Sequence, residues 1–78
     1  MVAQAYVLIQ TDVKRAAEVA TRIGEIKGVT LAENITGPYD VIVRTEARNL
    51  DELDKLVLTK VRQVDGIIRS LTCQVVHL

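Results

Sequence analysis

Apolar and polar positions along this chain switch between two periods. Val2 to Gln10 has the period of a strand, with Tyr6, Val7, Leu8 and Ile9 favouring extended backbone. Ala3, Ala5, Val7 and Ile9 point one way, and Val2, Gln4, Tyr6 and Leu8 the other. Both faces are largely apolar, which predicts a central strand buried on both sides. From Val13 to Ile26 the period lengthens. At about 100° per residue, Val13, Ala16, Ala17, Val19, Ala20, Ile23 and Ile26 fall in one half of a helical wheel, and Lys14, Glu18, Arg22 and Glu25 in the other. Thr11 and Asp12 are candidate caps for this helix. Lys14 with Glu18, and Glu18 with Arg22, support its exposed stripe. Gly28, which can take the left-handed C′ conformation, ends it.

The second half repeats this grammar. Val29 to Ile35 is a strand with Val29, Leu31 and Ile35 on one face and Thr30, Ala32 and Asn34 on the other. Glu33 interrupts it in the manner of a sheet edge. After Thr36-Gly37-Pro38-Tyr39-Asp40 a third strand runs from Val41 to Thr45, and so short a link predicts an antiparallel hairpin. Asn49 and Glu52 form a capping box for a second helix, about Leu50 to Val64, whose apolar stripe is Leu50, Leu53, Val57, Val61 and Val64. Asp51, Glu52 and Asp54 occupy its first turn, where the helix dipole favours negative charge. Asp65-Gly66 closes the helix. A last strand runs from Ile67 to about His77, with Ile67, Leu71, Cys73 and Val75 on one face and Ile68, Ser70, Thr72 and Val76 on the other.

The order is β-α-β-β-α-β, and the halves align at an offset of 38, matching Lys27-Gly28-Val29 to Asp65-Gly66-Ile67. With right-handed crossovers this is the split βαβ plan. The fold class is α+β: a ferredoxin-like sandwich with a four-stranded antiparallel sheet, two helices on one face, and strands one and three central. The opposite face has no covering element, yet it carries large apolar side chains. Soluble monomers rarely expose an apolar patch of more than a few hundred Å², so a second copy is expected to close this face as a twofold dimer.

Composition narrows the picture further. The 78 residues form one domain, spanning 1–78, too small to bury more than about 60% of the unfolded surface. With no Phe or Trp and two Tyr, the core must be built from Val, Leu, Ile and Ala. Ten basic and ten acidic residues cancel and are dispersed, which argues against direct nucleic-acid contact or an anionic membrane surface. No apolar run approaches the roughly 20 residues of a membrane span. No basic leader precedes the first strand, so a cytoplasmic location is expected.

Catalytic chemistry finds little footing. Cys73 and the only histidine, His77, are four apart on one predicted strand, roughly 13 Å along it, and cannot share a metal there. Cys73 has no second histidine to activate it. Asp51, Glu52 and Asp54 are explained by the helix N-terminus. P-loop, dinucleotide-binding and nucleophile-elbow motifs are absent. No enzyme activity, cofactor or metal is expected. Thr36 to Asp40 remains as the one chemically mixed segment. Gly, Pro and Asp there suit a hairpin turn, and Tyr39 is the residue that a turn explains least.

Val29 to Asp40, Val41-Ile42-Val43-Arg44-Thr45, Asp65-Gly66-Ile67 and Thr72 together resemble the effector domain of the Lrp/AsnC family, known as RAM for regulation of amino acid metabolism. The family pattern has an apolar-Gly-Val opening to the second strand and a Gly-x-x-Asp or Gly-Tyr-Asp turn. An apolar third strand follows, then a helix closing on Gly-Val before a Thr-bearing last strand. The likeness covers nearly the whole chain. Full-length family regulators place a helix-turn-helix domain before this one, whereas this chain starts with the first strand, so the resemblance implies a stand-alone effector domain.

The resemblance further implies sheet-to-sheet homodimers, assembly into octamers or similar rings, hetero-assembly with full-length Lrp/AsnC regulators, and amino-acid effectors bound between dimers. Carried onto this sequence, it nominates Thr36, Gly37, Tyr39, Asp40 and Thr72 as ligand contacts. Asp40 would accept from an ammonium, and backbone amides near Gly37 would take a carboxylate. Pro38, lacking an N–H, departs from many family members. Two alternatives stand beside this reading: a purely structural oligomerisation partner of such regulators, and a small dimeric ferredoxin-like enzyme.

Overall fold

The computed structural model describes residues 2–77. Strand β1 spans Ala3–Thr11, helix α1 Ala16–Gly24, β2 Val29–Asn34 and β3 Val41–Ala47. Helix α2, Leu50–Leu56, continues directly into a π-helical turn over Val57–Val61, and β4 spans Ile67–Gln74. The four strands form one antiparallel sheet in the order β2-β3-β1-β4. Strands one and three are central, and the α+β ferredoxin-like plan is the observed architecture. No helix among the described residues is long and apolar enough to cross a membrane.

The core lies between one sheet face and the two helices. Ala5, Val7 and Ile9 of β1 and Val41 and Val43 of β3 are fully buried against Val19 and Ile23 of α1 and against Leu53, Val57 and Val61. Each such side chain contributes about 1.5–3 kcal/mol on burial, offsetting the backbone entropy of so short a chain. Thr45, the polar residue in this layer, donates its hydroxyl to the Ala5 carbonyl at 3.0 Å. That bond removes the cost of an unsatisfied buried group.

Two element boundaries and two strand registers depart from the sequence expectation. Helix α1 starts at Ala16, not Val13, because Thr11 is consumed by β1 and Lys14 takes a left-handed φ of 71°. No side chain caps it, and Val13 is 86% exposed. Arg15 instead fastens this end of the helix, reaching Glu18 at 3.1 Å and Asp65 at 3.3 Å. Those hydrogen bonds, Glu18 first, push its guanidinium further above the ordinary range. In β2 the register shifts between Val29 and Leu31, so Val29 and Ala32 both lie on the helix side, opposite Thr45 and Val43. A bulge, which inserts one extra residue and reverses the alternation, puts Leu31 and Glu33 on the open face. A similar shift at Gln10/Thr11 turns Ile67 into the core while Leu71 and Cys73 face away from it, opposite Leu8 and Tyr6. Strand β4 ends at Gln74, so His77 lies beyond it and does not share a strand with Cys73.

The second helix keeps its predicted start and changes its winding. The Asn49 side chain accepts from the Glu52 amide at 2.9 Å, as a cap should. Leu50, expected in the core stripe, is 54% exposed. Leu53, Val57 and Val61 are all buried although they follow one another at steps of four. Such steps drift about 40° each around an α-helix, and the wider π turn swings the later positions back. Its signature is the Arg62 amide donating to the Val57 carbonyl, five residues earlier, at 2.9 Å.

Candidate functional site

The hairpin between β2 and β3 is closed by the Ile35 amide donating to the Asp40 carbonyl at 2.9 Å. Asp40 then joins this turn to the central strand: its own amide donates to the Ile9 carbonyl at 2.8 Å. Its carboxylate Oδ2 accepts from the Thr11 backbone at 2.9 Å and lies 3.5 Å from the Thr11 hydroxyl. The carboxylate stands where β1 leaves the sheet and would otherwise leave an amide unpaired. Thr36, Gly37 and Pro38 are exposed, and Tyr39 and Asp40 are half-buried. Among the described residues, the amides of Thr36, Gly37 and Tyr39 donate no backbone hydrogen bond.

Four of the five nominated residues therefore belong to one continuous turn, which holds three unpaired backbone donors and one carboxylate. Thr72 is set apart. On β4 it pairs with Val7 of β1, so β1 runs between it and the hairpin. In the single chain the turn is an exposed edge, and cavities of about 440 to 470 Å³ lie elsewhere. Among the described residues no cluster of His, Cys, Asp or Glu is set to hold a metal ion.

The open sheet face carries Tyr6 and Leu8 from β1, Ile42 and Arg44 from β3, Leu31 from β2 and Leu71 from β4. Tyr6 is 37% and Leu71 48% exposed. Arg44 stands in the middle of this apolar surface, between Leu31 and Tyr6. Its Nε is buried and has no hydrogen-bond partner among the described residues. A buried guanidinium nitrogen without an acceptor is costly.

Two features escaped the sequence reading. The Asp40–Thr11 bond joins residues 29 apart and leaves no local pattern. A cavity of about 460 Å³ between the end of α1 and the second helix is lined by Ile26, Lys27, Glu52, Lys55, Leu56, Thr59 and Lys60. Ile26 and Lys27 meet the second helix there across the fold, a juxtaposition that no local pattern shows.

Comparison with known proteins places this geometry in a family. Residues 4–77 match the model of the Lrp/AsnC ligand binding domain. An uncharacterized HTH-type transcriptional regulator of Pyrococcus furiosus is 32% identical over 71 residues, covering 87% of this chain and 47% of the relative. The chain thus spans about half the length of the curated relatives it matches. Hypothetical protein PHS023 from Pyrococcus horikoshii superposes with a TM-score of 0.89 at 26% identity, covering 97% of this chain and 92% of that one. Escherichia coli AsnC shares the fold at a TM-score of 0.87 and 21% identity, with 97% of this chain and 52% of that one covered. The family is one of transcriptional regulators and is not enzymatic. With its hairpin turn, open sheet face and helix-Gly-strand repeats in the positions described, the chain belongs to the Lrp/AsnC ligand binding domain family.

Proposed function

We propose that this domain binds an amino acid between subunits and couples that binding to assembly, as the effector module of transcriptional regulation of amino-acid metabolism. The observation that carries the reading is the hairpin turn, where the amides of Thr36, Gly37 and Tyr39 donate no backbone hydrogen bond and Asp40 supplies a carboxylate in the same turn. An amino acid presents the complementary pair. Its carboxylate takes the amides, and its ammonium takes Asp40 Oδ1, the oxygen that Thr11 leaves unused. Tyr39 forms the apolar wall, and a neighbouring subunit closes what is an open edge in one chain. A regulator from Neisseria meningitidis with this fold is described in complex with L-Met, at 18% identity and a TM-score of 0.81. That likeness carries the fold, and the ligand class is argued from the turn.

The same proposal includes a twofold homodimer through the open sheet face, which supplies the acceptor that Arg44 Nε lacks. Dimers then assemble into octamers or similar rings, in which full-length Lrp/AsnC regulators can also take part. Calorimetric titration of the twenty amino acids, with mass followed by light scattering, tests the reading. Heat of binding with a change of assembly for at least one amino acid is expected; silence for all twenty overturns the effector role. A second reading, a structural oligomerisation partner, is favoured by one observation: Asp40 Oδ2 is already engaged by Thr11. An oligomer that forms fully and binds none of the twenty selects it.

A further inference from the structure

We propose that the cavity between the end of α1 and the second helix is a separate binding site for a small multivalent anion, of the phosphorylated or polycarboxylate class. It lies apart from the hairpin turn and does not depend on the amino-acid reading. Its floor is apolar, formed by Ile26 and Leu56, and Lys27, Lys55 and Lys60 stand around it. None of the ion pairs among the described residues uses any of these three lysines. Glu52, the one acid in the lining, is spoken for by Arg48 at 3.6 Å. The lining thus carries three cationic side chains against one carboxylate, a net positive charge that an anion seated among them would meet.

The backbone gives independent support. Glu52, Lys55, Leu56, Thr59 and Lys60 follow the i, i+3, i+4, i+7, i+8 spacing of one helical face, with Lys55 and Lys60 on its two flanks. The π turn over Val57–Val61 lies within this wall. π turns are rare and recur at functional sites. This one is held by side chains: Thr59 Oγ1 donates to the Lys55 carbonyl at 2.6 Å, and Gln63 Nε2 to the Leu58 carbonyl at 3.1 Å. Besides Glu52, the acids nearby line the adjoining grooves, Glu46 on one side and Glu25 and Asp65 on the other. The cavity falls within the roughly 300–1,000 Å³ of small-molecule sites, which fits a metabolite.

Amide NMR of the protein titrated with pyrophosphate, and separately with citrate, at low ionic strength tests this. Saturable shifts centred on residues 26–28 and 55–60 are expected, and the tighter of the two probes identifies the phosphorylated or the carboxylate class. Each of Lys27→Gln, Lys55→Gln and Lys60→Gln should weaken binding about two- to fivefold, and the triple variant by more than tenfold. Lys14→Gln, the same charge change outside the cavity, should leave it unchanged. Sheet amide shifts report whether each variant is folded, and if the triple variant is not, the Lys55→Gln and Lys14→Gln pair decides. Non-saturable shifts, equal losses in Lys14→Gln and Lys55→Gln, or shifts centred on Thr36–Asp40 overturn the proposal.

Discussion

The Asp40 carboxylate accepts a hydrogen bond from the Thr11 backbone amide at 2.9 Å, tying the β2–β3 turn to the end of the central strand. Half-buried Asp40 therefore serves the fold before it serves any ligand. Asp40→Ala leaves that amide without its acceptor and is expected to cost about 1–2 kcal/mol, since hydrogen bonds to charged groups lie at the upper end of the usual range. Asp40→Asn keeps a carbonyl oxygen in place and should cost under about 1 kcal/mol, while removing the charge that an ammonium needs. Urea denaturation of both variants, beside amino-acid titration of Asp40→Asn, separates the two roles. Equal destabilisation by both would show that Thr11 needs the charge and not merely an acceptor.

The internal repeat has a physical root at Gly28 and Gly66. Their φ angles are 101° and 104°, and each carbonyl accepts an amide from across the sheet, Gly28 from Glu46 at 2.8 Å and Gly66 from Asp12 at 2.9 Å. A Cβ at Gly28 would stand 2.7 Å from Leu56 Cδ2, and one at Gly66 3.0 Å from Val19 Cγ2. Gly28→Ala and Gly66→Ala are each expected to destabilise by about 1–3 kcal/mol, because left-handed strain is added to the contact. Thermal melts of the two variants provide the measurement. A melting temperature unchanged in either would mean that the turn there relaxes without cost.

Asn49 caps the second helix through the Glu52 amide at 2.9 Å. Asn49→Ala should lose about 1 kcal/mol, and Asn49→Asp or Asn49→Ser should retain most of the stability. Because α2 has only 7 residues before the π turn, the loss should appear as faster amide exchange over Leu50–Leu56. Exchange that speeds up uniformly across the sheet as well would instead mark a purely global effect.

The sequence was readable where local pattern and tertiary packing agree. Alternation in Ala3–Ile9 and the stripe of Leu53, Val57 and Val61 name the core because each of these elements buries one face of its pattern. It misled where a distant partner intervenes. Thr11 has the chemistry of an N-cap, yet pairing with Ile67 and the Asp40 carboxylate keep it in β1 and delay the helix to Ala16. One bulge moves Leu31 to the open face, and strict alternation cannot register an inserted residue. In the candidate site the turn was legible from Gly37, Pro38 and Asp40, since turn chemistry is local. The Thr11 bond and the lysine-lined cavity were not, since they depend on residues brought together across the fold.

The open face offers the most direct test of assembly, through Ile42 and Arg44. Ile42 pairs with Leu8 and Glu33 in the central part of that face and is only half-buried in one chain. Ile42→Lys therefore costs the isolated subunit little, but it forces an ammonium into any sheet-to-sheet contact. Light scattering should show the mass falling from dimer or larger toward monomer. Arg44→Leu acts oppositely on the two states. In one chain it removes a buried nitrogen that has no partner among the described residues, so the subunit should be no less stable. In the proposed dimer it would orphan the partner's acceptor, and association should weaken by about 1–3 kcal/mol, roughly five- to 150-fold in the dissociation constant. Concentration-dependent melting resolves these contributions, since only the association term depends on protein concentration. If Ile42→Lys leaves the mass unchanged, the open face is not the dimer interface.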